Sequence, residues 1–385
     1  MNAAPSRLAG GAVLRPQGPV PGDLTMHGGR VAADRRGAEE KVLDVTGLLV
    51  APGLIDLQCN GGHGVDLATE PGRLWELGAA LPRYGVTAFL PTIVTSPPDV
   101  VDRALDVLRA GPPPGWRGAT PLGLHVEGPM LNPVRRGAHA RDLLRAPDVE
   151  LIGRWTRVNG VALVTLAPEL PGALDVVRRL AHAGVVVAAG HTDATAEQFI
   201  AGIDAGIRYA THLYNAMSPL AHRAPGAVGA TLADPRITAG LIVDGIHVHP
   251  TAVAGAWQAL GPDRLTLVTD AIAALGLAPG AARLGTMDVT VGADGVRLAD
   301  GTLAGANLSL DEAVRNLVAW TGCSITDAMA TVTSTPARVL GLDDRGMLDV
   351  GRRADAVVLT PELDVVATIT GGELVWAREG VAWRS

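Results

Sequence analysis

The sequence predicts a (β/α)8 barrel, TIM-like and of α/β class, carrying a small β-sandwich built from both chain termini. Three observations lead there. From about residue 48 to 270, eight short apolar, β-branched runs alternate with longer amphipathic segments, which is the pattern of repeated strand-helix units and a parallel sheet. Hydrophobic residues make up 48% of the 385-residue chain and charged residues only 18%, as expected when most strands are buried on both faces. The two ends of the chain instead carry short alternating strands, neither set large enough to bury a core alone.

The eight runs span 48–56, 87–92, 122–127, 163–167, 185–191, 209–215, 239–244 and 265–270, enough to close a barrel. Helical patterning fills 73–84, 98–110, 171–183 and 195–205, and Gly85, Gly111, Gly184 and Gly206 follow as left-handed caps. Asp193 or Thr195 stands ready to cap the helix after the fifth strand, and Pro250 suits the first turn of the helix after the seventh. After the eighth run, 271–308 form an elaborate loop on the barrel mouth, where 289–291 and 296–298 flank the hairpin signal Gly292-Ala293-Asp294-Gly295. Barrel residues 52–342 are thus framed by 1–51 and 343–385, with strands at 356–360, 365–370 and 373–376, which pair into the small sandwich.

Composition excludes several classes of function. A net charge of −7 without blocks of like charge offers no broad attraction to nucleic acid, although a few cations can still hold a small anion. No apolar stretch approaches the roughly 18 residues of a membrane span, and 1–20 lack the basic and apolar regions of an export signal. Cys59 and Cys323 stand far apart and in no CxxC pattern, against a disulfide scaffold or a cysteine zinc site. A cytoplasmic location is expected.

Catalytic groups of a parallel barrel sit at the C-terminal ends of its strands. Glu127 closes the third run, His191 the fifth and Asp270 the eighth, while His212 lies in the sixth. A carboxylate and two imidazoles, at about 2 Å, make a three-ligand set for a divalent, zinc-like ion with a position left for water, whose pKa the ion lowers. Each residue alone has an ordinary explanation, as a turn cap or a satisfied core histidine. Four at one face of one barrel point to a shared hydrolytic site.

The motifs that carry these residues are Pro52-Gly53-Leu54-Ile55-Asp56, His125-Val126-Glu127-Gly128-Pro129, Gly190-His191-Thr192-Asp193-Ala194-Thr195 and Thr211-His212-Leu213-Tyr214-Asn215-Ala216-Met217. They are followed by Val243-Asp244-Gly245-Ile246-His247, Val268-Thr269-Asp270-Ala271, Gly301-Thr302-Leu303-Ala304-Gly305 and Thr335-Pro336-Ala337-Arg338. In this order, from about residue 45 to the C-terminus, they resemble the N-acetylglucosamine-6-phosphate deacetylases of the amidohydrolase superfamily. The resemblance implies a barrel with a small sandwich, usually dimeric, that hydrolyses the acetamide of N-acetylglucosamine 6-phosphate to glucosamine 6-phosphate and acetate. It implies Glu127, His191 and His212 as metal ligands and Asp270 as base and then acid. His139, on the long loop after the third strand, is implied at the substrate, where its protonated form would stabilise the tetrahedral oxyanion beside the metal. Arg223 and His247 match the phosphate-binding pair, and Ala138, Asn215, Ala216, Asp244 and Leu303 the rest of the pocket.

One departure stands out at the end of the first strand, where many metal hydrolases carry His-x-His and this chain has Gln58-Cys59-Asn60. A neutral amide is a far poorer ligand than an imidazole. Members of the family with Gln-x-Asn there are held to use one metal, so one divalent ion per subunit is expected, with zinc favoured and iron or cobalt also compatible. His63 in the following glycine loop is the lesser alternative source of an imidazole. The same machinery would also suit the galactosamine epimer or an N-acyl amino acid. A noncatalytic sugar-phosphate-binding barrel is the non-enzyme alternative, against which the retention of Glu127, His191, His212 and Asp270 argues.

Overall fold

A computed structural model describes residues 6–33 and 41–384. Those parts of the expected small domain at 1–5, 34–40 and 385 lie outside the described residues. Eight parallel strands follow one another around a barrel: Leu54–Cys59, Val86–Val94, Leu124–Glu127, Val161–Leu166, Val186–Ala189, Ile207–Ala210, Thr238–Leu241 and Leu265–Leu267. Each pairs with the next in sequence. All nine residues of Val86–Val94 are buried, as two-sided packing of a parallel strand requires. Past the strand ends, Cys59 and Ala271 bridge in parallel and draw the first and eighth strands together at the mouth.

Helices Leu74–Ala80, Pro98–Ala110, Ala173–His182, Ala196–Ala205, Gly226–Ala233 and Pro250–Arg264 fill all the crossovers except the third. There, residues 128–160 run as turns with one short 3₁₀ segment, Arg141–Leu143, and this loop carries His139 over the barrel mouth. Gly85, Gly111, Gly184 and Gly206 all take positive φ after their helices. Thr195, not Asp193, caps Ala196–Ala205, through a capping box in which its side chain accepts from Gln198 N and the Gln198 side chain accepts from Thr195 N. Asp193 pairs with Arg135 instead.

The first apolar run divides between two sheets. Leu49–Pro52 joins a six-stranded sheet with Ala12–Arg15, Gly18–Pro21, Ala356–Leu359, Val365–Thr370 and Glu373–Ala377, and only Leu54–Cys59 enters the barrel. Gly53 marks the change because a Cβ there would stand 2.2 Å from Thr87 Oγ1, so only glycine allows the chain to cross so close. A four-stranded sheet of Ser6–Ala9, Leu24–His27, Arg30–Ala32 and Lys41–Asp44 covers one face of the six-stranded sheet. Leu8, Leu24, Met26 and Leu43 there pack against Val13, Val50, Val358 and Ile369, while Leu49, Ala51, Val357 and Leu359 point the other way into the barrel core. Both termini therefore build the sandwich, and one face of its larger sheet packs on the barrel core.

Over the mouth, Met287–Gly292 and Gly295–Arg297 form the expected hairpin, with Gly280–Leu284 added as a third strand. Leu284, Val289 and Val296 pack on Ala68, Val94 and Ala138, which seats this sheet at the rim of the site. Among the described residues, no helix is long and apolar enough to cross a membrane.

Thr195→Ala removes the hydroxyl half of the capping box and leaves the Thr195 N–H bond to Gln198, with an expected loss of about 1 kcal/mol. The measurement is the urea midpoint, which should fall while the catalytic rate stays unchanged.

Candidate metal centre and active site

The strands end earlier than the apolar runs suggest, and this sets the direction of the functional side chains. Glu127 is the last residue of its strand, whereas His191, His212 and Asp270 follow theirs, with φ of +48°, +31° and +48°. Such left-handed conformations at non-glycine residues cost on the order of 1–3 kcal/mol and persist only where surrounding bonds over-determine them. Here Asp270 N donates to Gln58 O at 2.9 Å, Leu213 N to Gly240 O at 2.7 Å and Asn132 N to His191 O at 3.0 Å. The kinks turn three side chains inward over the barrel axis.

The Nε2 atoms of His191 and His212 lie 3.2 and 3.0 Å from Glu127 Oε1 and 3.0 Å from each other. His191 Nδ1–H donates to Arg135 O at 2.9 Å, so its Nε2 presents a lone pair to the carboxylate. Donors spaced at 3.0–3.2 Å suit a common ion at about 2.0–2.2 Å from each, so the three residues fit a divalent metal. Burial alone would raise the Glu127 carboxyl, but the adjoining His191 and His212 rings hold it well below the usual range. His212 is shifted up, with the Glu127 contact overcoming its burial.

His139 also stands close enough to Glu127 and His191 to form a ligand group with them, and its tautomer decides against that role. Thr95 N–H donates to His139 Nδ1 at 3.2 Å, with the Thr95 hydroxyl 2.8 Å from the same nitrogen. The remaining ring proton therefore sits on Nε2, which can donate but cannot coordinate. Burial, reinforced by the neighbouring His191, pushes the imidazole down to about 3. The expected protonated His139 is thus corrected: the ring is neutral at working pH and supplies a hydrogen-bond donor instead of a positive charge.

Gln58 and Asn60 hold carboxylates. Gln58 Nε2 is 3.2 Å from both Glu127 oxygens and 3.0 Å from Asp270 Oδ1, and Asn60 Nδ2 donates to Asp270 Oδ1 at 2.7 Å. Amide N–H groups therefore stand between two acids where a cation would otherwise be needed. Burial, and then the Glu127 charge, raise the Asp270 carboxyl above its ordinary value.

A cavity of about 350 Å³ opens above these groups, and Ala138, Asn215, Ala216, His247 and Leu303 are all on its wall with Asp270. Asp244 is not; its carboxylate takes His247 Nδ1–H at 2.7 Å and the backbone N–H groups of Ile246 and His247, so it orients His247 from behind. Arg223 is likewise absent from the wall, exposed on the turn closed by the Ala221–Ala224 bridge. His63 turns away from the site, its Nε2 3.1 Å from the Tyr84 hydroxyl.

Two further residues matter that the sequence reading passed over. Thr95 fixes the His139 ring, and Glu169 accepts from Asn132 Nδ2 at 2.8 Å, the Thr192 hydroxyl at 2.5 Å and Asp193 N at 2.7 Å, tying the His139 loop to the His191 loop. Thr95 directly follows the second strand and Glu169 lies three residues beyond the fourth, both past the ends of the apolar runs, so the rule that found Glu127 stops short of them.

An eight-stranded barrel with a carboxylate and two imidazoles gathered at its mouth defines the class as a metal-dependent hydrolase. The amidohydrolase family profile matches residues 49–375. N-acetylglucosamine-6-phosphate deacetylase of Bos taurus is 40% identical, with 97% of this chain and 94% of that protein covered, and that of Bacillus subtilis is 37% identical, with 85% of each covered. Among solved structures, the Pasteurella multocida deacetylase superposes with a TM-score of 0.90 at 29% identity, covering 97% of this chain and all of that one. A Mycobacterium smegmatis variant in complex with N-acetyl-D-glucosamine-6-phosphate gives a TM-score of 0.87 at 36% identity, with the same coverage. The chain belongs to the amidohydrolase family and, within it, to the N-acetylglucosamine-6-phosphate deacetylases.

Replacing His191 with Asn should empty the site, and metal analysis of the purified variant checks this. For pH, the sign follows from His139: its folded pKa of about 3 lies below the roughly 6.5 of an unfolded histidine, so stability is full above pH 6.5 and is lost as pH falls toward 3. At pH 5 this one group accounts for about 2 kcal/mol. The loss in urea stability between pH 7 and pH 5 should therefore be smaller by that amount in His139→Gln than in the wild type.

Proposed function

We propose that the chain hydrolyses the acetamide of N-acetyl-D-glucosamine 6-phosphate to D-glucosamine 6-phosphate and acetate, using one divalent ion per subunit held by Glu127, His191 and His212. The observation that carries this reading is the approach of one buried carboxylate and two imidazole nitrogens to within 3.2 Å, with Asp270 beside them and a cavity above. Zinc suits two nitrogens and one oxygen, and iron or cobalt fit the same donors. When bound, such an ion supplies Lewis acidity, which acidifies a water and polarises the amide carbonyl.

The residues of the chain do the proton work. Asp270 accepts a proton from the attacking water; Gln58 and Asn60 both bind its Oδ1, so Oδ2 is the oxygen left for that proton. Its raised pKa makes it a stronger base than a surface aspartate and lets it return the proton to the departing amine nitrogen. His139 donates from Nε2 to the amide oxygen as negative charge grows there, a neutral donor within a buried site. Asn215 and the Ala216 backbone face the sugar.

His247, held by Asp244, meets the phosphate from inside the cavity. The reading includes a homodimer in which Arg223 reaches the cavity of the neighbouring subunit; in its support, Arg223 is exposed, makes no ion pair among the described residues and lies off its own cavity wall. Guanidinium suits phosphate through its planar fork. A reducing, cytoplasmic setting accords with two unpaired cysteines.

The experiment is acetate release from N-acetylglucosamine 6-phosphate, its galactosamine epimer and the unphosphorylated sugar, by wild type and Asp270→Asn, with metal content measured in parallel. The phosphorylated glucosamine substrate should be preferred, and Asp270→Asn should keep its metal while losing at least about 100-fold in rate. Equal rates with and without phosphate would remove Arg223 and His247 from substrate binding, and an Asp270→Asn enzyme at wild-type rate would remove the acid-base assignment.

A further inference from the structure

Asp56 is a fully buried carboxylate that the proposed chemistry does not use, and it lies where the barrel closes. Seven strand pairs of the barrel are joined by regular parallel ladders; between the eighth strand and the first, among the described residues, no such ladder forms. Lower in the barrel, Ile55 N and Leu267 N bond instead to Val332 O and Thr331 O, so a segment from beyond the eighth strand stands between the two. Toward the mouth, backbone bonds from Asp270 N to Gln58 O and from Asn60 N and Gly61 N to Ala271 O are joined by side chains. Asp56 Oδ2 accepts the Thr269 hydroxyl at 2.6 Å, and Asp56 Oδ1 accepts Gln58 N at 3.1 Å and Thr269 N at 3.3 Å. Thr269 Oγ1 also accepts Ala271 N at 3.2 Å and is 3.1 Å from Gln58 O.

Every group that Asp56 touches therefore flanks either Asp270 or Gln58. Thr269 and Ala271 bracket Asp270, whose φ of +48° needs such restraint, and Gln58 carries the amide that binds Asp270 Oδ1 and Glu127. No cation pairs with Asp56 among the described residues, although both it and Thr269 are at most 3% exposed. A carboxyl buried among neutral donors alone is a costly way to join two strands, so closure of the barrel does not by itself account for it.

We propose that Asp56 and Thr269 form a positioning pair that fixes Asp270 and the Gln58 amide relative to each other. This rests on Asp270 as the acid-base group. The pair acts through Asp270 and does not touch substrate. Displacement of a reacting group by about 1 Å can cost about 100-fold in rate, which sets the scale of effect.

The test uses the metal-loaded enzyme. Thr269→Val is nearly isosteric and removes the hydroxyl; it should lower kcat about 10- to 100-fold, with KM within about twofold and metal content unchanged, and Thr269→Ser should restore most of kcat. In an Asp270→Asn background, adding Thr269→Val should cost nothing further, because the group being positioned is already lost. Asp56→Asn keeps one acceptor oxygen for both backbone N–H groups and reads the same kcat and KM split if the valine variant does not fold. Wild-type kcat in folded Thr269→Val or Asp56→Asn, with only a lowered Tm, would overturn the positioning role. An active Asp270→Asn enzyme would instead overturn the acid-base reading on which it rests.

Discussion

Three electron-rich atoms share a space that only a cation can make comfortable: one Glu127 oxygen and two imidazole nitrogens lie within 3.2 Å of one another, and all three side chains are buried. Without a proton or a metal ion between them, lone pairs at that separation repel, and in a medium of low dielectric the repulsion is little screened. The mouth of the barrel is organised to hold them there. Left-handed backbone at His191 and His212 turns the rings inward, the Arg135 carbonyl fixes the tautomer of His191, and Glu169 ties the two neighbouring loops together. A metal's affinity then comes from a cluster that the fold has already gathered.

The amides at Gln58 and Asn60 solve a second electrostatic problem. Glu127 and Asp270 are two acids in one buried site, and the charge of the first raises the pKa of the second. Here the Gln58 amide bridges them and Asn60 binds the same Asp270 oxygen, each donating a hydrogen bond without bringing charge. Asp270 is restrained but not neutralised, so it remains basic enough to take a proton. In the proposed one-metal reading, amides in place of a cation leave Asp270 free to serve as the acid-base group.

Rigid and adaptable parts are separated in the fold. Glu127, His191, His212 and Asp270 stand on the strands or within three residues of them, braced by a core that continues into the sandwich. Groups assigned to the substrate sit on longer connections: His139 on the helix-free third crossover, Leu303 beyond the hairpin sheet, and His247 on the turn that Asp244 closes. Chemistry that needs sub-ångström placement is built on strands, and recognition on loops, as is usual for this architecture.

The sequence by itself determined the barrel, because eight apolar runs with glycine-capped helices between them are a local pattern that each segment carries alone. It also picked out Glu127, His191, His212 and Asp270 as one group at the mouth, since a carboxylate and imidazoles at strand ends are chemically distinctive wherever the strands close up. Tertiary structure decided whatever depends on a neighbour distant in the chain. The apolar run at 48–56 reads as one strand until Thr87 and Asp355 show why it must change sheets at Gly53. His139 reads as a potential cation until Thr95, 44 residues earlier, donates to its ring nitrogen. Asp244 reads as a wall of the pocket until it is found behind His247, and Arg223 reads as its neighbour's partner in one cavity until the fold leaves it outside. Charge state, tautomer and direction are properties of contacts, and contacts exist only once the chain has folded.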